Sequence, residues 1–193
     1  MQHTVPTTME HRGARLCGGA CPTTGSSWYP GRMHSEPAAI TIRLATPDEA
    51  GAILALTQAA FAVHEALDPP SSVFDETEAD VREAMAEGDI LVAERGGVLA
   101  GAARVRPLPE QEALYCGRLA VAPNLHGGGI GSALTDAVER LAAEQGYPAV
   151  VLGARIQLEQ NIRFFTKRGY VLTGEHSHPG YSHATYLRFR KNL

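Results

Sequence analysis

A run of glycines between residues 126 and 132 has the residue types that point most directly to chemistry. The segment reads His-Gly-Gly-Gly-Ile-Gly-Ser, and apolar residues continue from Ile130 at helical spacing. Glycine lets backbone N–H groups approach a ligand closely, and a helix N-terminus carries roughly half a positive charge. The turn therefore predicts a phosphate-binding site at the start of a helix. A loop that only reverses the chain is the alternative interpretation.

The glycine spacing excludes two common nucleotide-binding patterns. A Walker loop requires a lysine after its last glycine, and Gly131 is followed by Ser132 and Ala133. A dinucleotide fingerprint requires a glycine at its sixth position, which is Ser132 or Leu134 in the two available registers. The turn is therefore expected to bind the phosphate of a ligand that neither of these two patterns recognises.

The elements around this turn follow from local patterns. Thr46, Pro47 and Glu49 form a capping box that begins a helix. A second helix is expected over residues 78–86. Arg95-Gly96-Gly97 predicts a hairpin, and Pro107 is expected to interrupt the strand that follows it. Helical spacing at Leu158, Ile162 and Phe165 predicts a later helix that ends at Gly169. The expected strands cover residues 39–44, 90–94, 98–105, 113–121, 148–153, 170–174 and 184–190.

Two segments resemble the GCN5-related N-acetyltransferase (GNAT) superfamily. The strand end Arg-Leu-Ala-Val-Ala-Pro at residues 118–123 precedes the glycine motif at residues 126–131, in the order typical of the family. A second segment at residues 164–170, Phe-Phe-Thr-Lys-Arg-Gly-Tyr, resembles the family's later signature. The resemblance covers about residues 39–193. It implies a mixed α/β (α+β) fold with a splayed six- to seven-stranded sheet and about four helices.

By this resemblance, an acyl-CoA lies between the fourth and fifth strands, where backbone groups of Leu119 and Val121 pair with its pantetheine arm. His126 replaces the usual arginine or glutamine, and Phe165 stands where many members have the tyrosine that protonates the leaving thiolate. The residues expected to bind the cofactor are Leu119, Ala120, Val121, His126, Gly127, Gly128, Gly129, Ile130, Gly131, Ser132, Asn161 and Phe165.

The family's usual reaction is direct attack of an amine on the thioester, so Cys116 is not required as a nucleophile. By resemblance, the loop at residues 175–183, which contains three histidines, borders the acceptor site, as does the loop at residues 64–75. We predict His178 as the base and Tyr181 as an acid, and Glu65 and Asp68 as groups that bind a cationic acceptor or act through water. Glu112 and Tyr115, near the splayed strand, are alternatives. The alternative interpretation is that these residues lie in solvated surface loops and have no role in catalysis.

Composition limits the remaining possibilities. A chain of 193 residues with 44% hydrophobic residues has room for one domain, expected at residues 39–193 after a disordered tail at residues 1–38. A net charge of −4 gives no reason to expect a nucleic acid or a membrane as a partner. Three cysteines predict a cytoplasmic protein without a disulfide framework, and no metal site is expected. A monomer and a homodimer both remain open.

The sequence thus predicts an N-acyltransferase that moves acetyl from acetyl-CoA to a primary amine of a small molecule or peptide. The acetyl-CoA is the acyl-donor substrate, and no metal takes part. An acyl-CoA sensor that has lost catalysis is the alternative, because of the residues at positions 126 and 165.

Overall fold

A computed structural model describes residues 39–64 and 67–193, so the expected N-terminal tail and Glu65 lie outside the described residues. Within those ranges the chain forms a single seven-stranded sheet. Its strands are β1 (Ile40–Leu44), β2 (Asp89–Arg95), β3 (Val98–Leu108), β4 (Ala113–Val121), β5 (Ala149–Arg155), β6 (Val171–His176) and β7 (Tyr186–Asn192).

Four α-helices pack on this sheet in the described part of the chain: α1 (Ala50–Ala62), α2 (Glu78–Glu87), α3 (Ile130–Glu144) and α4 (Glu159–Lys167). The predicted capping box is present. The Glu49 carboxylate accepts from the Thr46 backbone nitrogen at 2.8 Å, and a short 3₁₀ turn at Pro47–Glu49 leads into α1. Three other short 3₁₀ helices lie at Ser72–Asp75, Pro109–Gln111 and Pro123–Leu125. None of the described helices is long and apolar enough to cross a bilayer.

The order of the strands leaves an opening in the middle of the sheet. The order is β1-β2-β3-β4-β5-β7-β6, with β4 and β5 parallel and every other neighbouring pair antiparallel. β4 and β5 pair only from Leu114 to Cys116 on the β4 side. Beyond Cys116 the two strands separate, so the second half of β4 has β3 as its only sheet neighbour in the described chain.

The helices pack in pairs on the two faces of the sheet. Adjacent residues of β2 belong to different core clusters, since Val92 packs with α1 and α2 whereas Leu91 packs with α3 and α4. Because side chains alternate along a strand, these helix pairs lie on opposite faces. Fully buried residues such as Leu134 on α3 each contribute about 1.5–3 kcal/mol to folding through burial.

The predicted architecture is confirmed, with one local correction. The mixed, splayed sheet of seven strands with four α-helices agrees with the expected fold class. The expectation that Pro107 interrupts its strand was wrong, because β3 continues to Leu108 and Pro107 pairs with Leu114. β2 begins at Asp89, opposite Val105, so it does not reach Pro107 and β3 needs no hydrogen bond on that side there.

Candidate active site

A cleft of about 950 Å³ occupies the opening between β4 and β5. The glycine turn forms one end of the cleft, and the loop between β6 and β7 lies at the other. Of the twelve residues predicted to bind the cofactor, eleven line the cleft, and Gly128 does not. The structure therefore brings together residues from β4, α3 and α4 that are up to 46 positions apart in the sequence.

The glycine turn has the geometry of an anion site. Gly127 and Gly129 have φ values of 76° and 83°, in the left-handed region that favours glycine. The first backbone bond of α3 runs from Ala133 to Gly129 at 3.0 Å, so the N–H groups of residues 130–132 have no partner within the helix. No acidic residue lies in the first turn of α3. These unpaired donors and the helix dipole suit a phosphate group.

His126 makes a hydrogen bond in the structure that the sequence pattern does not predict. Its Nε2 lies 3.0 Å from the carbonyl oxygen of Val121, and because a carbonyl only accepts, Nε2 carries the proton. Val121 is one of the two residues whose backbone groups face the opening of the sheet. In this structure the imidazole therefore occupies one lone pair of a backbone acceptor that the pantetheine arm was expected to use.

Arg95 is a residue of this site that was missed by sequence reasoning. A Cβ placed on Gly128 would lie 2.7 Å from the Arg95 Nη1, so the guanidinium lies directly against the glycine turn. The residue was noticed only as part of a hairpin turn, and it approaches α3 because β2 and α3 pack together. No sequence signal indicates this proximity. The guanidinium adds a positive charge beside the N-terminus of α3.

Phe165 and Cys116 line the cleft and also belong to the hydrophobic core. Phe165 is 7% exposed, with its ring centroid 5.1 Å from that of Phe164 and 5.7 Å from that of Tyr170. Phe165 therefore packs in the core and also lines the cleft, which is compatible with both interpretations. Burial raises the pKa of the Cys116 thiol to about 12, so the thiol is protonated near neutral pH. A protonated, buried thiol is a poor nucleophile.

His178 lines the acceptor end of the cleft and makes two defined hydrogen bonds. Its Nε2 lies 3.0 Å from the Arg155 Nη1, and its Nδ1 lies 2.5 Å from the Thr185 hydroxyl oxygen. A guanidinium only donates, so Nε2 is the unprotonated nitrogen and Nδ1 carries the proton. Burial and the Arg155 charge lower the pKa of His178 below the ordinary histidine value. The imidazole is therefore neutral near pH 7.

Tyr181 lies in the same loop but outside the cleft lining that the described residues provide. Its hydroxyl donates to the Asp68 carboxylate, which raises the pKa of Tyr181. Gln157 donates to the backbone oxygen of Asp68 at 2.8 Å, and Arg155 donates to the backbone oxygen of Pro69. These bonds join the loop after α1 to the end of β5, to the segment that follows β5 and to the loop between β6 and β7.

Comparison with known proteins agrees with this geometry. A family model described as the acetyltransferase (GNAT) family matches residues 59–170, more than half of the chain. The chain belongs to the GNAT family. Among its GNAT relatives, mouse (Mus musculus) N-acetyltransferase 8 is 34% identical over 88 residues. That match covers 44% of this chain and only 39% of the mouse protein.

Solved structures share the fold of this GNAT chain. Ard1 from Thermoplasma volcanium has a TM-score of 0.66 at 22% identity, over 80% of this chain and 98% of that chain. The PaiA N-acetyltransferase from Thermoplasma acidophilum, in complex with coenzyme A, has a TM-score of 0.67 at 14% identity, over 80% of this chain and 99% of that chain. At these identities the likeness shows the fold alone.

Proposed function

We propose that this GNAT chain is an acetyl-CoA-dependent N-acetyltransferase that acts on a primary amine of a small molecule or peptide. The observation that carries the proposal is the opening between β4 and β5, which begins at Cys116 and leads to unpaired backbone donors at the start of α3. A thioester with a long amide-containing arm and a pyrophosphate fits both features. A nucleotide without such an arm would leave the free edge of β4 unused.

Different residues of the chain suit different parts of CoA. The N–H groups of residues 130–132 and the Arg95 guanidinium suit the pyrophosphate, which is anionic. The free backbone groups of Leu119 and Val121 suit the pantetheine amides, as an added strand would. Asn161 and Phe165 on α4 line the other side of the cleft. Within the described residues, no group of three or more potential metal ligands is present.

Acetyl transfer requires a free amine near the thioester. The amine nitrogen bonds to the carbonyl carbon, the carbon–sulfur bond breaks with its electrons on sulfur, and the nitrogen loses a proton to a base. Neutral His178 is the base we propose, although its Nε2 must first exchange the Arg155 hydrogen bond for the acceptor. Glu65 stays a candidate that assists through water.

The leaving thiolate requires a proton, and a residue of the cleft other than the one at position 165 can donate it. Phe165 offers no proton, and Tyr181 is bound to Asp68. Tyr115 lines the cleft on β4, and burial raises its pKa, so its hydroxyl is protonated. A thiol with a pKa of about 8.5 leaves with modest help, so a hydrogen bond from this phenol is sufficient. Tyr181 then has the role of holding its loop to Asp68.

The second candidate function is an acyl-CoA sensor without turnover. The occupied lone pair of His178 and the hydrocarbon side chain of Phe165 favour it. The test is thiol release from acetyl-CoA in the presence of a broad set of amines, with the acetylated product identified by mass. Turnover with any amine above the rate without protein supports the enzyme. Calorimetric binding of CoA without turnover contradicts it and supports the sensor.

The glycine turn has its own test in a pair of matched variants. Gly129 and Gly146 have φ values of 83° and 80°, so replacement by valine strains both backbones alike, by about 1–2 kcal/mol. We expect Gly129→Val to lose CoA binding by more than about a hundredfold through the loss of well-placed N–H donors. Gly146→Val, at the far end of α3, should bind CoA normally. Equal affinities would overturn the assignment of the turn to pyrophosphate.

We also propose that the protein acts in the cytoplasm. Cys116 is a buried free thiol, which agrees with a reducing compartment. Fractionation of cells that produce the full chain tests this, since recovery outside the cytoplasmic fraction contradicts it.

A further inference from the structure

Two arginines without acidic partners face each other across the acceptor end of the cleft. Arg106 on β3 pairs in register with Tyr115 on β4, and Arg188 on β7 pairs with Gly153 on β5. A Cβ placed on Gly153 would lie 3.6 Å from the Tyr115 hydroxyl oxygen. All four residues therefore lie on the same face of the sheet, with Tyr115 between the two arginines.

The other arginines near this face are already engaged. Arg104 and Arg118 share the Glu76 carboxylate, at 3.1 Å and 2.7 Å. Arg155 is bonded to His178, and Arg190 donates to the Gln111 backbone oxygen at 2.9 Å. Glu76, the His178 ring and the Gln111 backbone oxygen thus hold four guanidiniums in place around the site.

Arg106 and Arg188 have no such partners among the described residues. The Arg106 guanidinium carbon lies 5.0 Å from the ring centroid of Tyr115, which is a cation–π contact. The Arg188 Nε is buried without a hydrogen-bond partner in the described chain. A buried donor that lacks an acceptor destabilises the protein. A ligand with acceptor oxygens would remove this penalty by accepting a hydrogen bond from the donor.

The charge of the cleft has one sign. Four arginines line it, and no aspartate or glutamate does so within residues 39–64 and 67–193. Glu87 lines a small neighbouring pocket with Arg106 but forms no ion pair with it. A cationic acceptor such as a polyamine would be repelled here, whereas a guanidinium pair matches the planar geometry of a carboxylate.

We propose that Arg106 and Arg188 bind a carboxylate of the acceptor, which is therefore an amino acid. This inference rests on the proposed N-acetyltransferase function and names its substrate class. The carboxylate lies between the two guanidiniums beside Tyr115, and the amino group, one carbon away, points towards the splayed part of β4. Glycine at positions 117 and 153 leaves room for the acceptor beside the Tyr115 ring.

The test compares three forms of one acceptor. The twenty amino acids are screened with acetyl-CoA, and the best is compared with its amide and with the amine that lacks the carboxylate. We expect kcat/KM to fall about tenfold to a hundredfold in both analogues, the usual value of charged hydrogen bonds. A phosphate-bearing amine such as phosphoethanolamine serves as a fourth arm, and its preference over the amino acids overturns the proposal.

Variants assign the effect to the two arginines. In Arg188→Gln and Arg106→Gln, the amino acid should lose its advantage over the amide, mainly through a higher KM. Arg190→Gln removes a charge from the same face of the same strand outside the cleft, so it should keep that advantage. Unchanged CoA affinity shows that a variant is folded. An advantage that survives both cleft substitutions overturns the proposal.

Different results would overturn the carboxylate site and the proposed acetyltransferase function. Transfer to neutral or cationic amines at rates equal to or above those of amino acids overturns the carboxylate site and leaves the acetyltransferase intact. If no amine is acetylated, amino acids are titrated calorimetrically into the protein saturated with CoA. Binding that requires both the carboxylate and Arg188 supports the site, and the absence of such binding overturns it.

Discussion

The His126 Nε2 donates a hydrogen bond to the carbonyl oxygen of Val121 over a distance of 3.0 Å. The bond joins the residue that replaces the family's usual arginine or glutamine to a backbone group beside the free edge of β4. The imidazole and the proposed pantetheine arm therefore compete for the same acceptor. We therefore expect the His126 ring to turn away when CoA pairs with Val121.

Replacement of His126 by alanine should tighten CoA binding. Loss of the competing hydrogen bond removes a net contribution of about 0.5–1.5 kcal/mol to the unliganded state, which corresponds to about a twofold to tenfold lower Kd. Isothermal titration of CoA measures the change, and His183→Ala in the loop between β6 and β7 is the control. Weaker binding by His126→Ala would mean that the ring contacts the ligand rather than competing with it.

Arg95 should contribute to CoA binding through the phosphates. Because its guanidinium lies against Gly128 beside the start of α3, Arg95→Gln should raise the Kd for CoA about threefold to tenfold, and less at high salt. The same variant should bind acetylpantetheine, which has no phosphate, as tightly as the unchanged protein does. Arg82→Gln, on the exposed surface of α2, is the control. An equal loss for both ligands would indicate a structural role for Arg95.

Most of the fold was predictable because its signals are local. The Thr46–Glu49 capping box and the Gly96-Gly97 hairpin act within a few residues, and both occur as predicted. β4 has the predicted boundaries at Ala113 and Val121. Pro107 was mispredicted because its tolerance depends on where β2 begins, and that is a property of strand register.

The candidate site was predictable where a continuous motif or the family resemblance pointed to its residues. The glycine turn is continuous in the sequence, so its proposed role as an anion site follows from composition and spacing. Arg106 and Arg188 come from different strands and line one cleft, and Arg95 from a third strand lies against the glycine turn. Only the strand order places them there. Whether Glu76 neutralises an arginine also depends on tertiary packing. No pattern in the sequence separates the paired arginines from the unpaired ones.

Cys116→Ala should leave acetyl transfer largely intact. The thiol is buried and its pKa is raised to about 12, so it is not available as a nucleophile near neutral pH. We expect kcat to change by less than about threefold, with a stability loss of about 1 kcal/mol from the small cavity. Rapid-mixing measurements should show no burst of thiol release. A burst in the unchanged protein that disappears in Cys116→Ala would indicate a covalent acetyl-enzyme and contradict direct attack.

The pH dependence of transfer should report on the contact between Arg155 and His178. Burial, and then the Arg155 charge, lower the pKa of His178, so the neutral base persists below the usual histidine range near 6.5. At saturating acceptor, kcat should therefore decline on the acid side only below that range. Arg155→Gln removes the positive charge, which raises the pKa of His178 and moves this acid limb to higher pH.

Two histidine variants decide whether that limb belongs to His178. His178→Asn should lower kcat by about a hundredfold, within the usual range for a general base, and should abolish the acid limb. His183→Asn, in the same loop and exposed, should keep both the rate and the limb. If His178→Asn retains the limb and loses only acceptor affinity, then His178 positions its loop through Thr185 and another group takes the proton.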